Sequence, residues 1–456
     1  MNTGAKIITS NWPTWQAHNS VILIVFIGTA IGMLTASFCS ELPITPLLYL
    51  IFALALLSSS PLVGVLPASI LAVMWTPRTL DQYLVISLYH SSFMLSGEEI
   101  TTLIKGIWPA DCLLLILVTI GIAKQGVPRW FGLWVIAFTP VVIYAIGAAS
   151  LWAGVLEYIR LPLVVIAVWG ITRTLDAWKR TLYALTGALV GLDVIAIGRY
   201  LLDPSVGERL FTVGLGINTL ATVSGIALPI TYACAILDRK KLPAWWWMAT
   251  AIEITVILLT GSRQGLVGLG IYLITLMLWG DRQVRYSSWF FSIVIIFITI
   301  NSTAGHRLIS YGLDYNRLVL WCGALQLWKL SPLLGHGPGS FGTLWPTVST
   351  LPDIYNYYWH PHNLYLMVLS EAGLMGAVAF ALTFWQGFCK NRFASNSETY
   401  MSILFIRIAV VIFLSMELFD YTLWDYRIVF VVGIILGLLA SWSKNIGSAF
   451  LYRIPG

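Results

Sequence analysis

Two of the chain's six histidines, His360 and His362, stand two residues apart in Trp359-His-Pro-His-Asn-Leu-Tyr-Leu-Met-Val-Leu-Ser-Glu-Ala-Gly-Leu-Met-Gly376. A histidine is mostly neutral near pH 7 and can accept a proton from a hydroxyl. His362 directly precedes Asn363 and an apolar run, and is the candidate base. Three arginines are the candidate anion binders. Arg209 lies in Ser205-Val-Gly-Glu-Arg-Leu, Arg263 in Thr260-Gly-Ser-Arg-Gln-Gly265, and Arg317 in Asp314-Tyr-Asn-Arg-Leu318. The guanidinium fork matches phosphate oxygens in pairs, and small neighbours such as Gly261 and Gly265 let a ligand approach closely. Each has a plainer reading. Arg263 would snorkel to an interface, Arg209 would sit in an ordinary loop, and Arg317 would pair with Asp314 on a solvated helix face. His-x-His could bind a metal, but no Asp, Glu or Cys stands beside it in sequence, so no metal is expected. Gly335-His-Gly-Pro-Gly-Ser-Phe-Gly342 looks like a phosphate loop. It lacks a preceding strand and the G-K-[ST] ending, and is expected to be a turn-rich part of a loop.

The elements that hold these residues are membrane spans. The chain of 456 residues is 58% hydrophobic and 10% charged, where a soluble domain carries about 25% charged residues. Apolar runs recur at 20–39, 43–59, 61–76, 108–123, 130–149, 159–172, 181–202, 217–236, 243–260, 264–280, 286–302, 363–388, 400–419 and 426–443. Their length is that of bilayer-crossing helices, and a lipid-exposed backbone must satisfy its own hydrogen bonds. Period-2 alternation of the kind a membrane barrel needs is not seen. The expectation is an all-α polytopic membrane protein with roughly 12–14 spans. Residues 79–107 read as interfacial. The five cysteines show neither metal spacing nor a disulfide framework.

Clusters of Lys and Arg at Lys124/Arg129, Arg173/Lys179/Arg180, Arg239 to Lys241, Arg282/Arg285, Lys390/Arg392 and Lys444 all fall on one side of this span list. The positive-inside rule makes that side, with both termini, cytoplasmic. The other side holds the 303–362 segment, rich in aromatics, and the arginines and histidines above. Ionisable groups at membrane depth usually face a polar cavity or a substrate. Three regions follow: 1–302, the N-terminal helices with Arg209 and Arg263; 303–362, a large loop on the side opposite the cytoplasm; and 363–456, three C-terminal helices with a short cytoplasmic tail. No internal repeat and no feature of nucleic-acid binding is seen.

Four places carry a resemblance. They are Arg209 with the glycine-rich sequence after it, Thr260-Gly-Ser-Arg263-Gln-Gly265, Asn316-Arg317…Trp321…Ser331-Pro332…Gly335-x-Gly337-x-Gly339-x-Phe341, and His360-x-His362-Asn363…Glu371-x-Gly373-x-x-Gly376. Together, over about residues 200–376, they resemble the O-antigen ligase/O-antigen polymerase superfamily, which includes protein O-oligosaccharyltransferases. The resemblance implies a GT-C-like glycosyltransferase of the bacterial inner membrane, active at the periplasmic face. It implies a donor glycan on undecaprenyl pyrophosphate and a metal-independent, cofactor-free, inverting transfer. The acceptor would be lipid A–core, a second carrier-linked glycan, or a periplasmic protein such as a pilin, with lipid A–core favoured. Carried over residue by residue, His362 is the general base. Arg209 and Arg263 bind and neutralise the pyrophosphate, with Arg317, His360 and Asn363 as further substrate contacts. Glu371 lies nine residues beyond His362 and reads as structural. A flippase or transporter of an anionic lipid is the non-enzyme alternative, since outer-side arginines would suit it too. Transporters tend to show repeats and broken helices at the midplane.

Overall fold

The computed structural model describes residues 109–145, 151–172, 174–202, 209–210, 216–238, 243–300, 315–349, 358–388, 397–423 and 425–442. The regular elements among them are all helices. In chain order they are α1 (Pro109–Gln125), α2 (Arg129–Ala145), α3 (Leu151–Ile171), α4 (Leu175–Leu202), α5 (Ile217–Leu237), α6 (Pro243–Thr260), α7 (Arg263–Trp279), α8 (Arg282–Ile300), α9 (Tyr315–Leu330), α10 (Phe341–Val348), α11 (Leu364–Phe388), α12 (Ser397–Met416) and α13 (Tyr426–Ser441). The chain is an all-α polytopic membrane protein. Five helices, α3, α4, α5, α11 and α12, hold apolar stretches of 18 to 24 residues, long enough to cross a bilayer. Parts of α1, α2, α6, α7 and α13 are apolar but shorter. The candidate spans 20–39, 43–59 and 61–76 and the interfacial 79–107 lie outside the described residues.

Two helices form the interior. On α5 every residue from Thr219 to Cys234 is buried, and α13 is buried along its whole length. A helix apolar all round belongs inside a bundle. α5 packs on α12, α6, α7 and α4, while α13 packs on α3. Without a hydrophobic drive between helices in lipid, close approach depends on small residues. Gly433 and Gly437 of α13 lie against Val164 and Val168 of α3, where an added Cβ would come within 2.6 and 2.5 Å. Gly121 of α1 meets Gly170 of α3 in the same way.

One boundary departs from expectation. The apolar run begins at 159, but α3 begins at Leu151 and so takes in Glu157 as well as Arg160. Glu157, ahead of the run, looks like loop in sequence. Here Arg160 is buried, and Glu157 accepts from the Tyr421 hydroxyl at 3.3 Å. Polar partners elsewhere in the chain let the helix carry them.

Candidate functional site

His362 ends a short turn that leads into α11. It is the single non-glycine with positive φ (51°) among the described residues, a conformation that costs about 1–3 kcal/mol and persists only where its surroundings fix it. The surroundings are the loop after α12. The backbone N–H of Leu364 donates to the carbonyls of Glu417 (3.0 Å) and Asp420 (3.1 Å). Asn363 donates from Nδ2 to Leu418 O at 2.9 Å, and its Oδ1 accepts from Leu366 N at 3.0 Å. Asn363 thus caps α11 and ties it to the loop, with both ends of its amide engaged in the fold. Glu417 anchors the loop by accepting from the Thr422 N–H and hydroxyl. Its complete burial pushes its carboxyl well above the usual range.

This docking puts His362 Nδ1 2.7 Å from Asp420 Oδ1. Asp420 also accepts from Tyr421 N at 2.9 Å and from Asn218 Nδ2 at 2.5 Å. Burial alone would raise the Asp420 carboxyl, but the His362 hydrogen bond and the nearby histidines bring it below its ordinary value. Asp420 is therefore an anion at neutral pH and fixes the tautomer. Nδ1 of His362 carries the proton, and Nε2 keeps its lone pair. The His362 side chain is 25% exposed and Asp420 6%, so the base is reachable and its partner is not. His360 stacks edge-on 4.3 Å from His362, and its Nδ1 accepts from His362 N at 3.3 Å. Burial first, then His362 and Arg317, lower His360 to about 4. It is neutral and braces the turn. Tyr358 and Tyr421 contact the two imidazoles edge-on.

Arg209 and Arg317 reach the same end of the bundle through hydrogen bonds to backbone carbonyls. Arg209 donates from Nε to Thr260 O at 2.8 Å and from Nη2 to Gly261 O at 3.3 Å. It clasps the turn in which Gly261 has φ 57°. Next in that turn, Ser262 caps α7 and donates to Asn218 Oδ1 at 3.0 Å, and Asn218 leads to Asp420. Arg263 is the first residue of α7. It stands at the positive end of the helix dipole, where unsatisfied N–H groups favour anions. Arg317, on α9, donates from Nη1 to Phe419 O at 2.6 Å, one residue from Asp420. The structure thus gathers Arg209, Arg263, Arg317, His360, His362 and Asn363 around one junction of α5, α7, α9, α11 and the α12–α13 loop.

Glu371 is placed elsewhere. α11 breaks its helical geometry at Gly373 (φ 61°), and the 331–340 segment enters the break. Leu374 N and Met375 N donate to Pro332 O and Leu333 O, each at 3.0 Å. Gly335, Gly337 and Gly339 all have positive φ. Their loop turns backbone N–H groups onto Glu371, with Phe341 N at 3.0 Å from Oε1 and Gly339 and Ser340 also donating. Tyr158 donates to Oε2 at 3.2 Å. The stretch that looks like a phosphate loop is a nest of backbone N–H groups, and the group it holds is the chain's own Glu371 carboxyl.

Asp420 is the candidate site residue that the sequence did not reveal. It gives the two histidines the acidic neighbour they lack in sequence, and possible ligand atoms of His360, His362 and Asp420 lie within 4.8 Å of one another. Of these, His362 Nδ1 donates to Asp420, His360 Nδ1 accepts from His362 N, and both Asp420 oxygens accept. The arrangement fits a hydrogen-bonded His–Asp pair better than an open ligand set.

Residues 248–381 match the family model described as O-antigen ligase, which identifies this region with the O-antigen ligase-like superfamily. The match contains Arg263, Arg317, His360, His362 and Asn363, while Arg209 and Asp420 lie outside it. A comparison with curated proteins found no match.

Proposed function

We propose that this member of the O-antigen ligase-like superfamily moves a glycan from undecaprenyl pyrophosphate to an acceptor hydroxyl at the periplasmic face of a bacterial inner membrane, with lipid A–core as acceptor. The observation that carries the reading is the His362–Asp420 hydrogen bond, 2.7 Å long, at one end of a bundle whose arginines converge on the same junction. His362 Nε2 takes the acceptor proton as the acceptor oxygen bonds to the anomeric carbon. Attack comes from the face opposite the pyrophosphate, so the configuration inverts. The bond to the pyrophosphate breaks, and its electron pair leaves on the phosphate oxygen. Asp420 stabilises the imidazolium that forms, as a buried carboxylate does for a histidine base. Arg263, the N-terminus of α7 and Arg209 offset the charge that develops on the leaving group, with Arg317 beside them. His360 and Asn363 hold the turn, and the glycan passes close enough for either to contact it. The reaction needs no metal and no cofactor in this reading. Exposed Trp359 offers a face for a sugar ring, and the polyprenyl tail lies between helices in lipid.

The test offers purified protein and a carrier-linked glycan to lipid A–core, to a second carrier-linked glycan and to a pilin-type peptide, in separate reactions. Product on lipid A–core alone is expected. Product on the second glycan or on the peptide would make the chain a polymerase or a protein O-oligosaccharyltransferase with the same chemistry. Carrier crossing a vesicle membrane without product in any reaction would make it a transporter.

A further inference from the structure

Below the His362 junction, polar side chains continue down α5 where a membrane helix has no need of them. Gln264 donates from Nε2 to Asn218 O (3.0 Å) and Thr222 Oγ1 (3.1 Å). Ser224 donates to Asp193 Oδ1 of α4 at 2.8 Å. Thr231 donates to Glu253 Oε1 of α6 at 2.5 Å. Thr186 and Cys234 sit 3.3 Å apart, and Tyr183 donates to Asp238 at 2.8 Å. From Asn218 to Asp238 the helix rises roughly 30 Å, the thickness of the hydrocarbon core.

Asp193 and Glu253 are fully buried. The groups acting on Asp193 and Glu253 are Ser224, Thr231 and each other, with Cys234 and Tyr272 also facing Glu253 and no lysine or arginine among them. Among the described residues, the buried carboxylate and amide oxygens that accept no hydrogen bond are three: Gln264 Oε1, Asp193 Oδ2 and Glu253 Oε2. All three belong to side chains that contact α5. An unpaired carboxylate inside a bilayer is costly and is, by default, functional. A proton on the open oxygen removes the charge and supplies a donor. Hydrogen-bonding glue between helices would leave no such oxygen facing inward, since a half-satisfied polar network is worse than an apolar one.

We propose that Asp193 and Glu253 are proton-binding sites in the membrane interior, among the polar side chains spaced along α5, and that they exchange protons with water. This site is additional to glycan transfer and independent of the acceptor. Difference infrared spectroscopy on the full chain in lipid tests it without any glycan, so it can fail while the transfer reading stands, and the reverse. The expected result is a protonated-carboxyl band at neutral pH that shifts promptly on transfer to deuterated water. The band should shrink in Asp193→Asn and in Glu253→Gln, isosteres that keep the hydrogen bonds from Ser224 and Thr231. A band that ignores deuterated water for hours would mean sealed structural carboxyls and overturn the proposal, and so would its absence from the wild-type chain. Glu417 adds to the same band and is kept in both variants, so a band that neither substitution reduces would overturn the proposal as well, by assigning the proton elsewhere.

Discussion

Asp420→Asn changes one atom type at the centre of the site and should cost most of the base's contribution. Asp420 accepts from His362 on one oxygen and from Asn218 on the other. The introduced amide cannot serve both donors. With its oxygen toward His362, its NH2 faces the Asn218 NH2, and a buried donor pair goes unsatisfied at about 1–3 kcal/mol. With its oxygen toward Asn218, its NH2 faces His362 Nδ1 and selects the tautomer with the proton on Nε2. That tautomer cannot accept a proton, and the whole general-base contribution of about 10²–10⁴ in rate is lost. The first orientation also loses a charge-assisted bond worth about 1.5–3 kcal/mol, or about 10–150-fold. Turnover should therefore fall by about 10²–10⁴, with donor binding unchanged. The assay is single-turnover transfer from a carrier-linked glycan, with thermal unfolding as a control for the fold. Because Asp420 acts through His362, adding Asp420→Asn to His362→Ala should cost nothing further. Wild-type turnover in Asp420→Asn, or losses that multiply in the double variant, would refute the pairing.

Arg263→Lys should lower kcat by about 10²-fold at unchanged protein stability, because an ammonium cannot reproduce the planar fork at the head of α7; retained kcat would reduce Arg263 to an interfacial charge. Gly373→Ala should destabilise the chain by about 2 kcal/mol or more, since its Cβ would sit 2.4 Å from Leu333 O and the backbone has φ 61°; an unchanged melting temperature would contradict the break in α11. His360 titrates near 4 in the fold against 6.5 as its ordinary value. Its depressed folded value contributes stability above about pH 6.5 that is lost as pH falls towards 4, because the unfolded chain takes up the proton first. The melting temperatures of wild type and His360→Asn should therefore converge over that window, and a constant gap would argue against a neutral, buried imidazole.

The helices were legible because burial inside the bundle and contact with lipid both demand apolar residues. Each of the candidate spans from 108–123 onward that falls on described residues is a helix. The polar exceptions were not legible, because their justification is tertiary. Glu157 reads as loop until Tyr421 is brought to it. Asp420 stands 58 residues from His362, in a loop that also holds Glu417 and Asp425, and no local spacing singles it out. The glycines of 335–342 read in sequence as a turn-rich part of the loop, and only the break at Gly373 shows that their backbone N–H groups hold Glu371. The arginines were legible as exceptions to charge placement, whereas their meeting at one junction depends on how α5, α7 and α9 cross.

The most direct test of the central claim is glycan transfer by wild type and by His362→Ala, side by side with EDTA present, with donor binding measured in the same preparations. The account predicts product from wild type, loss of about 10²–10⁴ in rate for the variant, and equal donor affinity in both. Equal rates in the two preparations would contradict it, because no proton would then need to pass through His362.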